Sequence, residues 1–147
     1  MIRPTCLLLA VVAVSAQSSE ETEVIAVAQK AFAGIAAHSA AILKACMLPD
    51  ARIYSIRDAA PPAAGLSADE MASRIAAAPG ALLERFTAPP RVSIQGRIAQ
   101  VWGEYEFLRD GQFSHCGIDS FTMFKTAEGW KIATIVYTAE TTGCKGH

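Results

Sequence analysis

The chain has 147 residues, with 13 basic and 14 acidic side chains and a net charge of −1. No run of Lys or Arg and no cationic amphipathic stretch occurs, which argues against nucleic acid and membrane surfaces as partners. Once a leader is set aside, the remaining ~130 residues suit one domain with a single core.

The leader is read first. Arg3 gives a positive start, and Cys6 to Val14 is an apolar run shorter than the ~20 residues a spanning helix needs. Val14-Ser15-Ala16 offers small residues for cleavage before Gln17, the form of a secretory signal peptide. Residues 1–16 are therefore expected to be a signal peptide and residues 17–147 a single domain in the periplasm or secreted. No later segment is apolar for long enough to span a membrane. Export permits disulfides, and Cys46, Cys116 and Cys144 remain after cleavage, enough for one bridge and one free thiol. Their spacing matches no zinc pattern, so neither a metal nor a cofactor is expected.

Ser18 to His38 reads as a helix, with Ser19 as N-cap and Glu20, Glu21 and Glu23 near its positive end. Val24, Val27, Ala28, Ala31, Phe32 and Ile35 recur at helical spacing. Ser39 caps a second short helix running to Met47, stopped by Pro49-Asp50. Ala51 to Arg57 alternates as a strand, and Asp58 to Gly65 is a loop by its prolines and glycine. Ser67 and Glu70 have capping-box spacing for a helix to about Ala78, which Pro79-Gly80 breaks. Ala81 to Phe86 is expected to add one more helical turn.

From Arg91 the period changes to that of strands. Arg91 to Gln95, Arg97 to Leu108, Phe113 to Lys125 and Trp130 to Glu140 are four strands. They are separated by Gly96, the hairpin signal Asp110-Gly111, and Ala127-Glu128-Gly129. Helices first and a meander of strands afterwards give an α+β fold.

The motifs Leu48-Pro-Asp-Ala51, Val101-Trp102 with Tyr105, Phe113-Ser-His-Cys-Gly117 and Gly129-Trp-Lys-Ile132 lie on this pattern. With them, the chain from Glu20 to Cys144 resembles the nuclear transport factor 2-like superfamily, which includes SnoaL-like cyclases and ketosteroid isomerase. The resemblance implies a cone: a strongly curved antiparallel sheet wrapped around the N-terminal helices, with a pocket at its open end. It also implies a homodimer through the outer sheet face. It does not choose between an exported small-molecule-binding domain of unassigned role, a cofactor-independent acid–base enzyme (cyclase, isomerase or dehydratase type) and a non-catalytic interaction module.

Counting faces outward from a Leu108–Phe113 pair places Glu106 opposite His115, Glu104 opposite Gly117 and Trp102 opposite Asp119. One face then carries Trp102, Glu104, Glu106, His115, Asp119, Phe121 and Met123, and the other carries Tyr105, Phe107, Cys116, Ile118 and Phe124. A slip or bulge would break this pairing. His115 and Asp119 are the candidate acid–base residues. Tyr54, Trp102, Glu104, Phe121 and Tyr137 are the candidate ligand contacts, and Gly117 is expected to leave open space beside Glu104. The ligand is expected to be small and hydrophobic or amphipathic. The first helix has no tyrosine where ketosteroid isomerase places its oxyanion donor, so chemistry of that kind is unsupported.

Cys116 neighbours His115 but points to the opposite face, so histidine activation of this thiol is disfavoured. Pairing with Cys144 is the better use, since a fold-back of the tail at Gly143 brings the two together. The rival bridge is Cys46–Cys144.

Overall fold

The computed structural model describes residues 19–57 and 64–146. The expected signal peptide and most of the expected 58–65 loop lie outside the described residues. The elements are α1 (Ser19–Ala36), α2 (Ala40–Cys46), β1 (Met47–Ile56), β2 (Leu66–Ser67), α3 (Ala68–Ala77), β3 (Leu82–Phe86), β4 (Arg91–Gln95), β5 (Ile98–Arg109), β6 (Gln112–Thr126) and β7 (Gly129–Thr138).

The helices form where the capping chemistry directs. Val24, Ala28, Ala31, Phe32 and Ile35 make the buried face of α1. The chain leaves α1 through His38 at φ 51, and the Ser39 hydroxyl then accepts from the Ile42 amide at 3.2 Å to start α2. In α3 the capping box is complete: the Glu70 amide donates to Ser67 Oγ at 3.2 Å and the Ser67 amide to Glu70 Oε2 at 2.8 Å. His38 Nδ1 donates to the Ile75 carbonyl at 3.0 Å, tying the end of α1 to α3.

The strands form one open, strongly curved sheet in the order β2-β1-β7-β6-β5-β3, with β4 also pairing β5. All pairings are antiparallel but one: β1 runs parallel to β7, so the sheet is mixed rather than wholly antiparallel. No hairpin links these two strands; the crossover through α3 and the meander permits the parallel direction. The concave face packs on the helices around a single core that includes Leu43, Val101, Phe121, Met123 and Ile132.

Three local expectations are corrected. First, Ala81 to Phe86 is not a helical turn. Gly80, at φ 73, redirects the chain, and β3 pairs with the edge of β5 from Leu82–Arg109 to Phe86–Tyr105. Edge pairing overrides the weak helical propensity of Leu-Leu-Glu-Arg.

Second, the β5–β6 faces differ from the simple count. Leu108 does pair with Phe113, and Asp110 and Gly111 make the hairpin with φ values of 51 and 74. A bulge then intervenes, so Phe107 faces His115, Glu106 faces Cys116 and Gly103 faces Asp119. Every side chain beyond it changes company. Tyr105 and Phe107 join His115, Asp119, Phe121 and Met123 on the concave face, whereas Trp102, Glu104 and Glu106 lie on the convex one.

Third, Gly117 lines a shallow pocket beside Glu104 that is separate from the concave face, and on the side where its Cβ would lie it leaves no open space. A Cβ there would lie 2.3 Å from the Thr138 carbonyl oxygen, so the glycine admits the neighbouring backbone instead.

The cysteines pair as Cys116–Cys144, with Cα atoms 6.0 Å apart, and Cys46 is a free, buried thiol. Cys116 lies in a bridge with Glu140, its amide donating to the Glu140 carbonyl at 2.9 Å and its carbonyl accepting from the Glu140 amide at 2.8 Å. The crosslink closes a loop of 28 residues and contributes about 3 kcal/mol by restricting the unfolded chain. Replacing both Cys116 and Cys144 by Ser is expected to lower unfolding free energy by about that amount in urea titrations. Non-reducing peptide maps should show Cys46 as the unpaired thiol; a Cys46–Cys144 peptide would overturn the assignment.

Candidate functional site

The curvature of the sheet leaves a cavity of about 270 Å³ between its concave face and helices α1 and α3. Phe32 and Ile35 of α1, Met71 and Ile75 of α3, and Phe121 and Ile135 of the sheet form the apolar wall. Two polar regions are set into it.

The first is a pair of carboxyl groups. The strand alternation of β3 turns Leu82, Glu84 and Phe86 toward the interior, with Leu83 and Arg85 outward. Glu84 thereby faces Asp119 of β6, close enough for the two side chains to share a hydrogen bond. Two carboxyls bond this way only if one is protonated. Asp119 is held well above the ordinary carboxylate range by burial, then by the charge of Glu84 and their shared bond. Glu84, half-buried overall on an edge strand, is pushed up to about 7, mainly by burial. The pair therefore titrates as a unit that keeps a proton near neutrality. Asp119 Oδ2 is buried and has no hydrogen-bond partner among the described residues.

Two tyrosines flank the pair. Tyr137 sits opposite Asp119 in the sheet. The Tyr105 hydroxyl donates to the Thr138 carbonyl at 2.6 Å, so its proton is already engaged. Burial, then the charges of Asp119 and Glu84, raise the Tyr105 pKa and keep the phenol neutral.

The second polar region is His115 with three arginines. The His115 ring stacks on Phe107, with centroids 4.9 Å apart, and its Nδ1 is 3.1 Å from Ser114 Oγ. Burial lowers the His115 pKa, and the charges of Arg57 and Arg109 lower it further. Arg57, Arg74 and Arg109 line the cavity with their residues exposed, which makes them its rim.

Of the residues chosen from sequence, His115, Asp119, Phe121 and Tyr137 line this cavity. No hydrogen bond joins His115 to Asp119 among the described residues; Asp119 has Glu84 instead. The other three candidates lie elsewhere. Tyr54 packs its ring on Gly65, where a Cβ would come within 2.6 Å of the ring. Trp102 is 53% exposed on the convex face. Glu104 accepts from Lys145 Nζ at 3.0 Å beside the disulfide. Glu84, Arg57 and Arg109 were not anticipated. The period-two alternation of Leu82, Glu84 and Phe86 was the available signal for Glu84, hidden by the helical reading of that segment.

No protein-family model matches the chain, and no curated protein matches it in sequence. Solved structures do match. A nuclear transport factor 2-like superfamily protein from Salmonella enterica serovar Typhimurium LT2 superposes with TM-score 0.69 at 16% identity, covering 90% of this chain and 99% of that one. An NTF2-like protein of unknown function from Shewanella baltica OS155 gives TM-score 0.65 at 15% identity, over 84% and 95%. An NTF2-like protein with a cystatin-like fold from Novosphingobium aromaticivorans gives 0.68 at 15% identity, over 86% and 84%. At such identities the likeness speaks for architecture alone. Three helices against a curved, unclosed sheet, and these superpositions over most of the chain, identify the nuclear transport factor 2-like fold.

Proposed function

We propose that the protein binds a small, largely apolar molecule in the cavity between the sheet and helices α1 and α3. The observation that carries this is an apolar enclosure with a few convergent polar groups, the usual form of a ligand site. The sequence-read leader and the Cys116–Cys144 disulfide together support action in an exported, oxidising location. The neutral fluorophore N-phenyl-1-naphthylamine is expected to give a saturable, one-to-one fluorescence rise. Ala78→Trp, which fills the cavity from the end of α3, should abolish it. A signal that rises without saturation, or that survives Ala78→Trp, would remove the cavity as the binding site.

The Glu84–Asp119 pair favours a second reading: cofactor-independent acid–base chemistry on the bound molecule. A carboxyl that keeps its proton at neutral pH can donate it, and its ionised partner can accept one. His115, neutral for the reasons above, would complete the set as an additional acceptor.

The proton of the pair has a measurable consequence for stability. Both carboxyls have folded-state values above their unfolded ones, so their contribution is fully present at low pH. It is lost as pH rises from the ordinary carboxylate range through about 7. Wild type should therefore lose ground to Asp119→Asn between pH 5 and pH 8, by on the order of 1–3 kcal/mol in urea unfolding. Titration of His115 is common to both proteins and cancels. A difference that does not change with pH would show that the pair holds no such proton.

The convex sheet face supports a homodimer. Ile98, Trp102, Phe124 and Val136 are 55, 53, 44 and 36% exposed, and the pairings Ile98–Phe124 and Trp102–Ser120–Val136 gather them on one surface. Association through this face would cover a contiguous apolar patch. Light scattering should give twice the chain mass for wild type and the chain mass for Trp102→Glu; a wild-type monomer at tens of micromolar would reject the dimer.

A further inference from the structure

The rim of the cavity carries more positive charge than its interior balances. Arg57, Arg74 and Arg109 come from β1's exit, α3 and the β5–β6 turn, three separate parts of the chain that converge on one opening. Among the described residues the acidic lining residues are Glu84 and Asp119 alone, and these share a proton. Among the described residues, none of the three arginines takes part in an ion pair, whereas Arg85 is committed to Glu106 at 2.6 Å and Arg97 to the Lys125 carbonyl at 2.7 Å. Arg109 is held with its guanidinium carbon 5.6 Å from the centroid of the Phe107 ring, whose stacking partner is His115.

We infer that the ligand is an amphipathic carboxylate, bound with its apolar body in the cavity and its anionic head at Arg57, Arg74 and Arg109. This deepens the small-molecule-binding reading and rests on it. Guanidinium groups match a carboxylate bidentately and keep their charge at any physiological pH. The polarity of the site also sets one direction for the ligand. An anionic head would be repelled by the Glu84–Asp119 pair, so the head stays at the rim and the body runs inward past Phe32 and Phe121. A hydroxyl or N–H on the inner end would find the unpartnered Asp119 Oδ2.

The test compares 2-naphthoate with 2-naphthamide, two probes of nearly equal shape that differ in charge. Calorimetry on the full chain should show the carboxylate binding about tenfold more tightly, the size of one charge-assisted contact. Raising ionic strength to about 0.5 M should narrow that preference. The double variant Arg57→Gln, Arg109→Gln should bring the two affinities within about twofold of each other, with naphthamide binding itself little changed. Arg74→Gln should narrow the gap by a smaller factor. Circular dichroism should show wild-type spectra for these rim variants. Equal affinities in wild type, or a preference that survives the double variant, would overturn the anionic-head inference while leaving the cavity reading in place. Failure of both probes to bind would remove the two together.

Discussion

Ser114 is one residue more than the ladder between β5 and β6 can pair, and the structure accommodates it as a bulge just beyond the Leu108–Phe113 pair. Much of the interior depends on this irregularity. Strand side chains alternate, so one unpaired residue exchanges the faces of everything that follows relative to the partner strand. With the bulge, Tyr105 and Phe107 look inward alongside His115 and Asp119. Without it, two carboxylates and Trp102 would share the core face with them, and burial of Glu104 and Glu106 without Lys145 or Arg85 would cost several kcal/mol.

Bringing Glu84 to Asp119 has a desolvation cost, and the pair meets it by giving up a charge. One shared proton converts two repelling carboxylates into a donor and an acceptor. The same burial that raises these acids disfavours a charge on His115. The interior thus stays nearly neutral, while positive charge is kept at the rim, where water solvates the three guanidinium groups. This separation of a quiet interior from a charged opening gives the cavity its polarity.

Architecture was more legible in the sequence than the site. Helix starts at Ser39 and Ser67 and the Asp110-Gly111 hairpin are encoded by local chemistry: side-chain caps at the two serines and positive φ at the two turn residues. The disulfide was legible because the tail has one glycine at the right place for a fold-back; Gly143 adopts φ 76. The site was only partly so. Phe121, Asp119 and His115 alternate on one strand and could be read together. Glu84 could not, since its six-residue segment has helical propensity and becomes a strand only when β5 offers an edge. The faces of Trp102 and Glu104 are not legible for the opposite reason: the turn sequence gives the pairing, but no residue type announces a bulge. The parallel seam between β1 and β7 likewise depends on tertiary arrangement, not on either strand's own pattern.

That seam has a consequence for how the domain comes together. Ile53 lies beside Ile135, and Tyr54 beside Val136, so the first strand of the sheet, apart from its short pairing with β2, finds its partner in the last. The hairpins of the meander are local and can form early, but joining them to the helical end requires closure of a loop that spans most of the domain. Contacts of such sequence separation slow folding. The cavity lies across the closure, walled by Ile53 on one side and by Tyr137 and Phe121 on the other. The cavity therefore needs both strands in place, and a fragment lacking either would lack one of its walls.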